Sequence, residues 1–148
     1  MSESQSAADG APAGSLGEPT VGSLMRAPTT TVEPDSHVAS AAYLMKRSHD
    51  SALVVTADLD GRLPIAVITD ADVSQAVADG RDLNDTRINQ LHLGRPTVIH
   101  PGMSVAEAAE RMLEQSVMHL PVVDDGRLVG LVDMAAVCRA LLRKDWAA

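Results

Sequence analysis

The stretch Thr69-Asp70-Ala71-Asp72 closes an apolar run, PIAVIT, and opens a segment with helical patterning. Thr69 and Asp72 are the residues in this chain best placed by type and spacing to do chemistry. An ionised carboxylate at Asp72 accepts from two neighbouring hydroxyls at once, as on a sugar, and the Thr69 hydroxyl donates or accepts beside it. A helix starting there would add free N–H groups and partial positive charge, which favour an anion such as phosphate. The same four residues are also close to a capping box. Thr69 would then cap the helix while Asp72 sits near its positive end. Taken alone, the cap is the simpler reading.

The other reactive side chains assemble into less. Cys138 is the single cysteine, so an intrachain disulfide is excluded; it lies in MAAVCRALL, a run with helical character and no feature that would lower a thiol pKa. The five histidines (37, 49, 92, 100 and 119) show neither H-x-x-x-H spacing nor cysteine partners, so no metal site is expected. Asp58-Leu59-Asp60-Gly61 superficially resembles a calcium loop, but its glycine falls too early and no acid closes the loop. A hairpin turn explains it better. Phosphate-loop, dinucleotide-fingerprint and nucleophile-elbow motifs are all missing, and no nucleophile–base set can be assembled, so the chain reads as non-catalytic.

Bulk properties narrow the classes further. With 148 residues and 45% hydrophobic content the chain is long enough for one compact core built from aliphatic side chains. Only Tyr43 and Trp146 are aromatic and the formal charge is −8, a poor match to nucleic acid, which calls for a basic face and stacking rings. No apolar run approaches the roughly 20 residues that span a bilayer, and the start lacks the basic and apolar regions of a secretion signal. A cytoplasmic location is therefore expected, with no membrane partner.

Two elements of the chain must position Thr69 and Asp72, and they come as a repeat. TVEPDSHVASAAYLM matches VIHPGMSVAEAAERM: Pro34 with Pro101, Val38 with Val105, Ala41 and Ala42 with Ala108 and Ala109, Met45 with Met112. The alanine, valine and methionine positions follow i, i+3, i+4, i+7, the spacing of a helix with one buried face. Met45 and Met112 thus read as packing. Ser104 and Glu107 fit a capping box on the second of these helices. Each helix is followed by two β-rich runs around an Asp-Gly turn (Asp60-Gly61, Asp125-Gly126) and by a closing helix. The expected order is β-α-β-β-α, twice, with a pseudo-twofold axis. Residues 1–19 have the composition of a disordered tail, residues 20–80 form the first repeat, 81–87 a polar linker, and 88–145 the second repeat.

This duplicated unit resembles the cystathionine-β-synthase-type (CBS) repeat pair known as a Bateman module, from about Val21 to Lys144. The phrases that carry the resemblance are VGSLM, SALVV and GRLPIAVITDADV in the first copy, and INQL and HLPVVDDGRLVGLV in the second. The resemblance implies an α/β (α+β) fold with two sheets and four helices, two clefts between the repeats, and frequent dimers. It also implies adenosyl ligands: AMP, ADP or ATP, less commonly NAD or S-adenosylmethionine, with no obligatory cofactor. Thr69 and Asp72 stand where the family holds ribose. In the second copy Asp133 and Ala136 take those places, and alanine accepts no hydroxyl, so one competent cleft is expected. Thr30 and Thr31 are expected to meet the adenine through their backbone, with Met25, Ala52, Leu53 and Val54 as walls. His119, Arg95 and Lys46 are the candidates for the phosphates. The implied function is a stand-alone regulatory module acting on a separate protein target; the alternative is a dimerisation module without ligand.

Overall fold

The computed structural model describes residues 19–27, 30–57 and 63–147. The expected tail thus lies almost wholly outside the described residues, as does the Asp60-Gly61 turn. The elements run α1 (Val21–Leu24), β1 (Thr31–Val32), α2 (Val38–Ser48), β2 (Ala52–Thr56), β3 (Pro64–Thr69), α3 (Asp70–Ala78), a 3-10 turn (Ile88–Gln90), α4 (Val105–Gln115), β4 (His119–Asp124), β5 (Arg127–Asp133) and α5 (Met134–Ala147). The β-α-β-β-α order appears in both halves, although the opening strand of the second half shrinks to one parallel bridge, Ile99 to Val122.

Local rules account for the main pieces. Val38, Ala41 and Met45 of α2, and Val105, Ala108 and Met112 of α4, are buried, while Ala42 and Ala109 are half-buried. Both helices end on a left-handed residue, His49 and Ser116, whose N–H groups satisfy the last-turn carbonyls. The β4–β5 hairpin turns through Asp125 (φ 54°) and Gly126 (φ 75°), the two positive angles that a two-residue turn matched to strand twist demands. The Ser104 hydroxyl accepts from the Glu107 N–H at 3.1 Å, capping α4 as expected.

Two cores form, one per half, yet the opening segments are exchanged between them. Val21 of α1 packs with Ile99, Val105, Met112 and Leu120 in the second core, and its N–H donates to the Met103 carbonyl. Ile88, in the turn that opens the second copy, packs with Val38, Leu53 and Ile68 in the first core. The linker is structured rather than loose. The Thr86 and Leu83 carbonyls accept from the Val38 and Ala39 N–H groups, serving the start of α2, where His37 makes no side-chain cap.

The first sheet has the order β1-β2-β3, with β1 parallel to β2 and β3 antiparallel; the second is the β4–β5 pair. The edge of β5 is closed by an antiparallel bridge from Arg26 to Leu131. Among the described residues, no helix is long and apolar enough to cross a membrane.

Candidate functional site

A cleft of about 550 Å³ opens between the halves, and its first wall is the β3–α3 junction. Here strand gives way to helix within one residue, because Thr69 is extended (φ −113°, ψ 167°) and serves as the N-cap of α3. The capping box is complete. Asp72 Oδ2 accepts from the Thr69 N–H at 2.8 Å and from its hydroxyl at 2.9 Å, while the Asp72 N–H donates to Thr69 Oγ1 at 3.2 Å. The cap and the cleft are therefore one structure. The box fixes the carboxylate at the cleft wall and leaves Oδ1 as its further acceptor.

The N-terminus of α3 offers an anion less than the sequence suggests. The Asp70 N–H donates to the Ser51 carbonyl at 2.9 Å and the Asp72 N–H is spent on the cap. Asp70 and Asp72 both place negative charge in the first turn. These charges disfavour an anion at this end of the helix, whereas Arg95 brings a cation into the same cleft from the segment 93–97.

The opposite wall comes from the end of α4 and the start of β4, residues 115–119 with Pro121. His119 lies there, half-buried, with Nε2 and Ser51 Oγ 3.1 Å apart. Its pKa is held below the ordinary value, first by burial and then by Arg26, against the opposing pull of Asp133, Asp70 and Asp50. His119 therefore enters the cleft as a neutral ring that donates or accepts a hydrogen bond, and not as a cation.

The remaining expected residues lie elsewhere. Thr30, Ala52, Leu53 and Val54 line a different cavity with Arg26, Asp50 and Leu131, of only about 10 Å³. The reason is strand order. β1 pairs with β2 on the side away from β3, so Thr31 faces Val54 and lies two strand spacings, roughly 10 Å, from Thr69's strand. Met25 packs against Gly130 so closely that a Cβ there would come within 2.5 Å of its sulfur. Lys46 is exposed in the last turn of α2 and is part of neither cleft wall. The opening segment that shares the cleft with Thr69 and Asp72 is thus that of the second copy, residues 93–97, and not Thr30 and Thr31. The alignment of TTTV with PTVI contained that signal, but only the exchange of opening segments decides which copy faces which.

The small cavity is the pseudo-symmetric counterpart of the large one. Asp133, at the end of β5, caps α5 by accepting from the Ala136 N–H at 2.8 Å, so the second copy keeps the cap without the Asp72 acceptor. Arg26 and Asp50 form an ion pair across it.

The sequence pattern of the CBS domain matches residues 21–79 and 90–143. The chain belongs to the CBS-domain family. It is a tandem CBS pair, a Bateman module. It is 31% identical over 109 residues to the CBS domain-containing protein YhcV of Bacillus subtilis, covering 73% of this chain and 75% of that one. To an uncharacterized protein of Methanopyrus kandleri it is 29% identical over 117 residues, 77% of this chain, and the match spans 58% of that relative's length. Among solved structures, the CBS domain protein PAE2072 of Pyrobaculum aerophilum, complexed with AMP, superposes with a TM-score of 0.76 at 26% identity, covering 87% of this chain and 99% of that one. Among the described residues of this CBS pair, no cluster of three His, Cys, Asp or Glu side chains could hold a metal ion.

Proposed function

We propose that this CBS pair is a regulatory module that binds one adenine nucleotide per chain, of the AMP, ADP or ATP class, in the cleft over Thr69 and Asp72. The observation that carries the reading is the open cleft of about 550 Å³ whose lining holds both a carboxylate fixed by its own capping box and Arg95. Asp72 Oδ1 accepts from the ribose hydroxyls, Arg95 takes the phosphates, and Val67, Leu93 and Pro121 supply aliphatic walls to the base. His119 contributes a neutral hydrogen bond. The AMP complex of the Pyrobaculum CBS protein, a structure of the same fold, supports the ligand class. The module acts in the cytoplasm by binding and not by catalysis, and signals to a separate protein by favouring one relative arrangement of its halves. Such coupling requires unequal nucleotide affinity for the two arrangements.

A thermal-shift screen with AMP, ADP, ATP, NAD and S-adenosylmethionine tests this. Ligand at about a thousandfold excess over Kd stabilises by roughly 4 kcal/mol, so a rise in Tm with AMP or ATP is expected. No rise with any adenosyl compound would sink the reading.

A second reading has its own observation. Val77 of α3, Leu113 of α4 and Leu142 of α5 are 58%, 72% and 61% exposed, and Tyr43 of α2 is 61% exposed. Apolar side chains on the outer faces of all four long helices suit a homodimer, and a ligand-free module would serve dimerisation alone. Sedimentation with and without nucleotide separates the two: the regulatory reading expects a nucleotide response, the structural one a dimer indifferent to it.

A further inference from the structure

The cleft over Thr69 and Asp72 does not end at Arg95. Gly94, Arg95 and Pro96 also form one wall of a shallower hollow of about 570 Å³, whose other walls are Pro64, Ile65 and Val98. Among the described residues, Arg95 is the sole charged residue in that lining, and no acid is present. Ile65 is 39% exposed and Val98 43%, two large apolar side chains left open beside a cleft otherwise furnished with polar groups.

The hollow exists because the two halves treat the same strand edge differently. In the second half, Arg26 bridges to Leu131 and closes the edge of β5. In the first half, the matching segment 92–98 forms no bridge to β3 among the described residues. Gly94 takes a left-handed φ of 77° there, a conformation that glycine adopts without cost. Pro64 and Pro96 lack N–H donors, so this edge is a poor template for an added peptide strand.

We infer that the hollow is a second subsite of the same cleft, taking an apolar or aromatic group joined to adenosine through a phosphate bridge. The inference rests on the nucleotide reading of the main cleft. With adenosine over Asp72 and the bridge on Arg95, the next group of the ligand lies beyond Gly94–Pro96, on Ile65 and Val98. A mononucleotide fills the main cleft alone and leaves these side chains in water. Covering them adds affinity in proportion to the apolar area removed from water.

Calorimetry on the full chain with AMP, ADP-ribose and NADH tests this. NADH differs from ADP-ribose by its nicotinamide ring, so their affinity ratio isolates the hollow. NADH should bind roughly tenfold more tightly than ADP-ribose, as expected for a ring covering about 60 Å² of apolar surface. In Ile65→Asp, and separately in Val98→Asp, that ratio should fall to about one with AMP affinity unchanged. Neither residue lines the main cleft, and both are exposed enough to accept a carboxylate. Equal affinities for NADH and ADP-ribose in the unaltered chain, with AMP still binding, would overturn the subsite and spare the main cleft. A failure of AMP itself to bind would overturn both. If either variant changed the sedimenting mass and left the ratio intact, the patch would belong to a second copy of the chain, and the subsite would be rejected.

Discussion

The two clefts of this molecule grow from one duplicated plan, yet one holds about 550 Å³ and the other about 10 Å³. Both halves end their last strand in a capped helix, Thr69 on α3 and Asp133 on α5, but only the Thr69 cap lines its cavity. The difference lies in what the opening segment of each copy does. In the small cleft, the Arg26 backbone zips onto β5, its guanidinium pairs with Asp50, and Met25 fills the space over Gly130. In the large one, the matching segment forms no bridge to β3 among the described residues, and Arg95 lines the open cleft. A duplicated fold thus keeps its caps, which stability requires, and lets one copy lose its acceptor and its room.

Breaking the larger cleft should have the largest effect. Asp72→Ala removes the ribose acceptor and half of the capping box. We expect AMP affinity to fall about 10- to 100-fold, as for a lost hydrogen bond to a charged group, and folding stability to drop by about 1 kcal/mol. Calorimetry and urea denaturation read the two effects separately. Unchanged AMP affinity would move the ligand elsewhere.

The comparison is sharpened by rebuilding the smaller cleft. Arg26→Ala with Ala136→Asp removes the ion pair and restores an acceptor at the head of α5. A second, weaker AMP site should appear in that double variant, while Arg26→Ala alone should bind no second equivalent because Ala136 still accepts nothing. Losing the half-exposed ion pair should itself cost less than about 1 kcal/mol. A second equivalent of AMP in the single variant would show that the ion pair alone, and not the acceptor, separates the clefts.

Arg95→Ala should act more mildly, weakening ATP several-fold and flattening the salt dependence of binding, since an exposed cation in solvent is screened. Equal salt dependence in variant and parent would place the phosphates away from Arg95.

The smallest effect concerns His119, whose ring lies against charges from both clefts. Burial lowers its folded-state pKa, so between that value and the ordinary one the folded chain binds fewer protons than the unfolded chain. The stability from this source is complete above the ordinary histidine pKa near 6.5 and is lost as pH falls through it toward the lower folded value. His119→Gln should therefore lose less stability than the parent between about pH 7.5 and 5.5. Parallel pH profiles would contradict the assigned burial effect.

Much of this was legible in the residues. The helix faces at Val38, Ala41 and Met45, and at Val105, Ala108 and Met112, follow from a local period, and the Asp125-Gly126 turn from local backbone chemistry. The Thr69–Asp72 pair was legible as both cap and acceptor, and it is built as the cap on the wall of the cleft. What escaped the sequence depends on contacts distant in the chain. Val21 and Ile88 exchange cores, so Thr30 and Thr31 sit across the sheet from Thr69 while residues 93–97 share its cleft. Nothing in the local pattern of Arg26 says that it bridges to Leu131 and pairs with Asp50. The Ser51 carbonyl, which occupies the Asp70 N–H, was equally invisible, and it is what turns the start of α3 away from anions.

We propose that one cleft of the two is competent, which AMP stoichiometry on the unaltered chain decides. Isothermal titration should give one AMP per chain in the parent and a site weakened about 10- to 100-fold in Asp72→Ala. Two equivalent sites per chain, or one site that survives Asp72→Ala unchanged, would contradict the account.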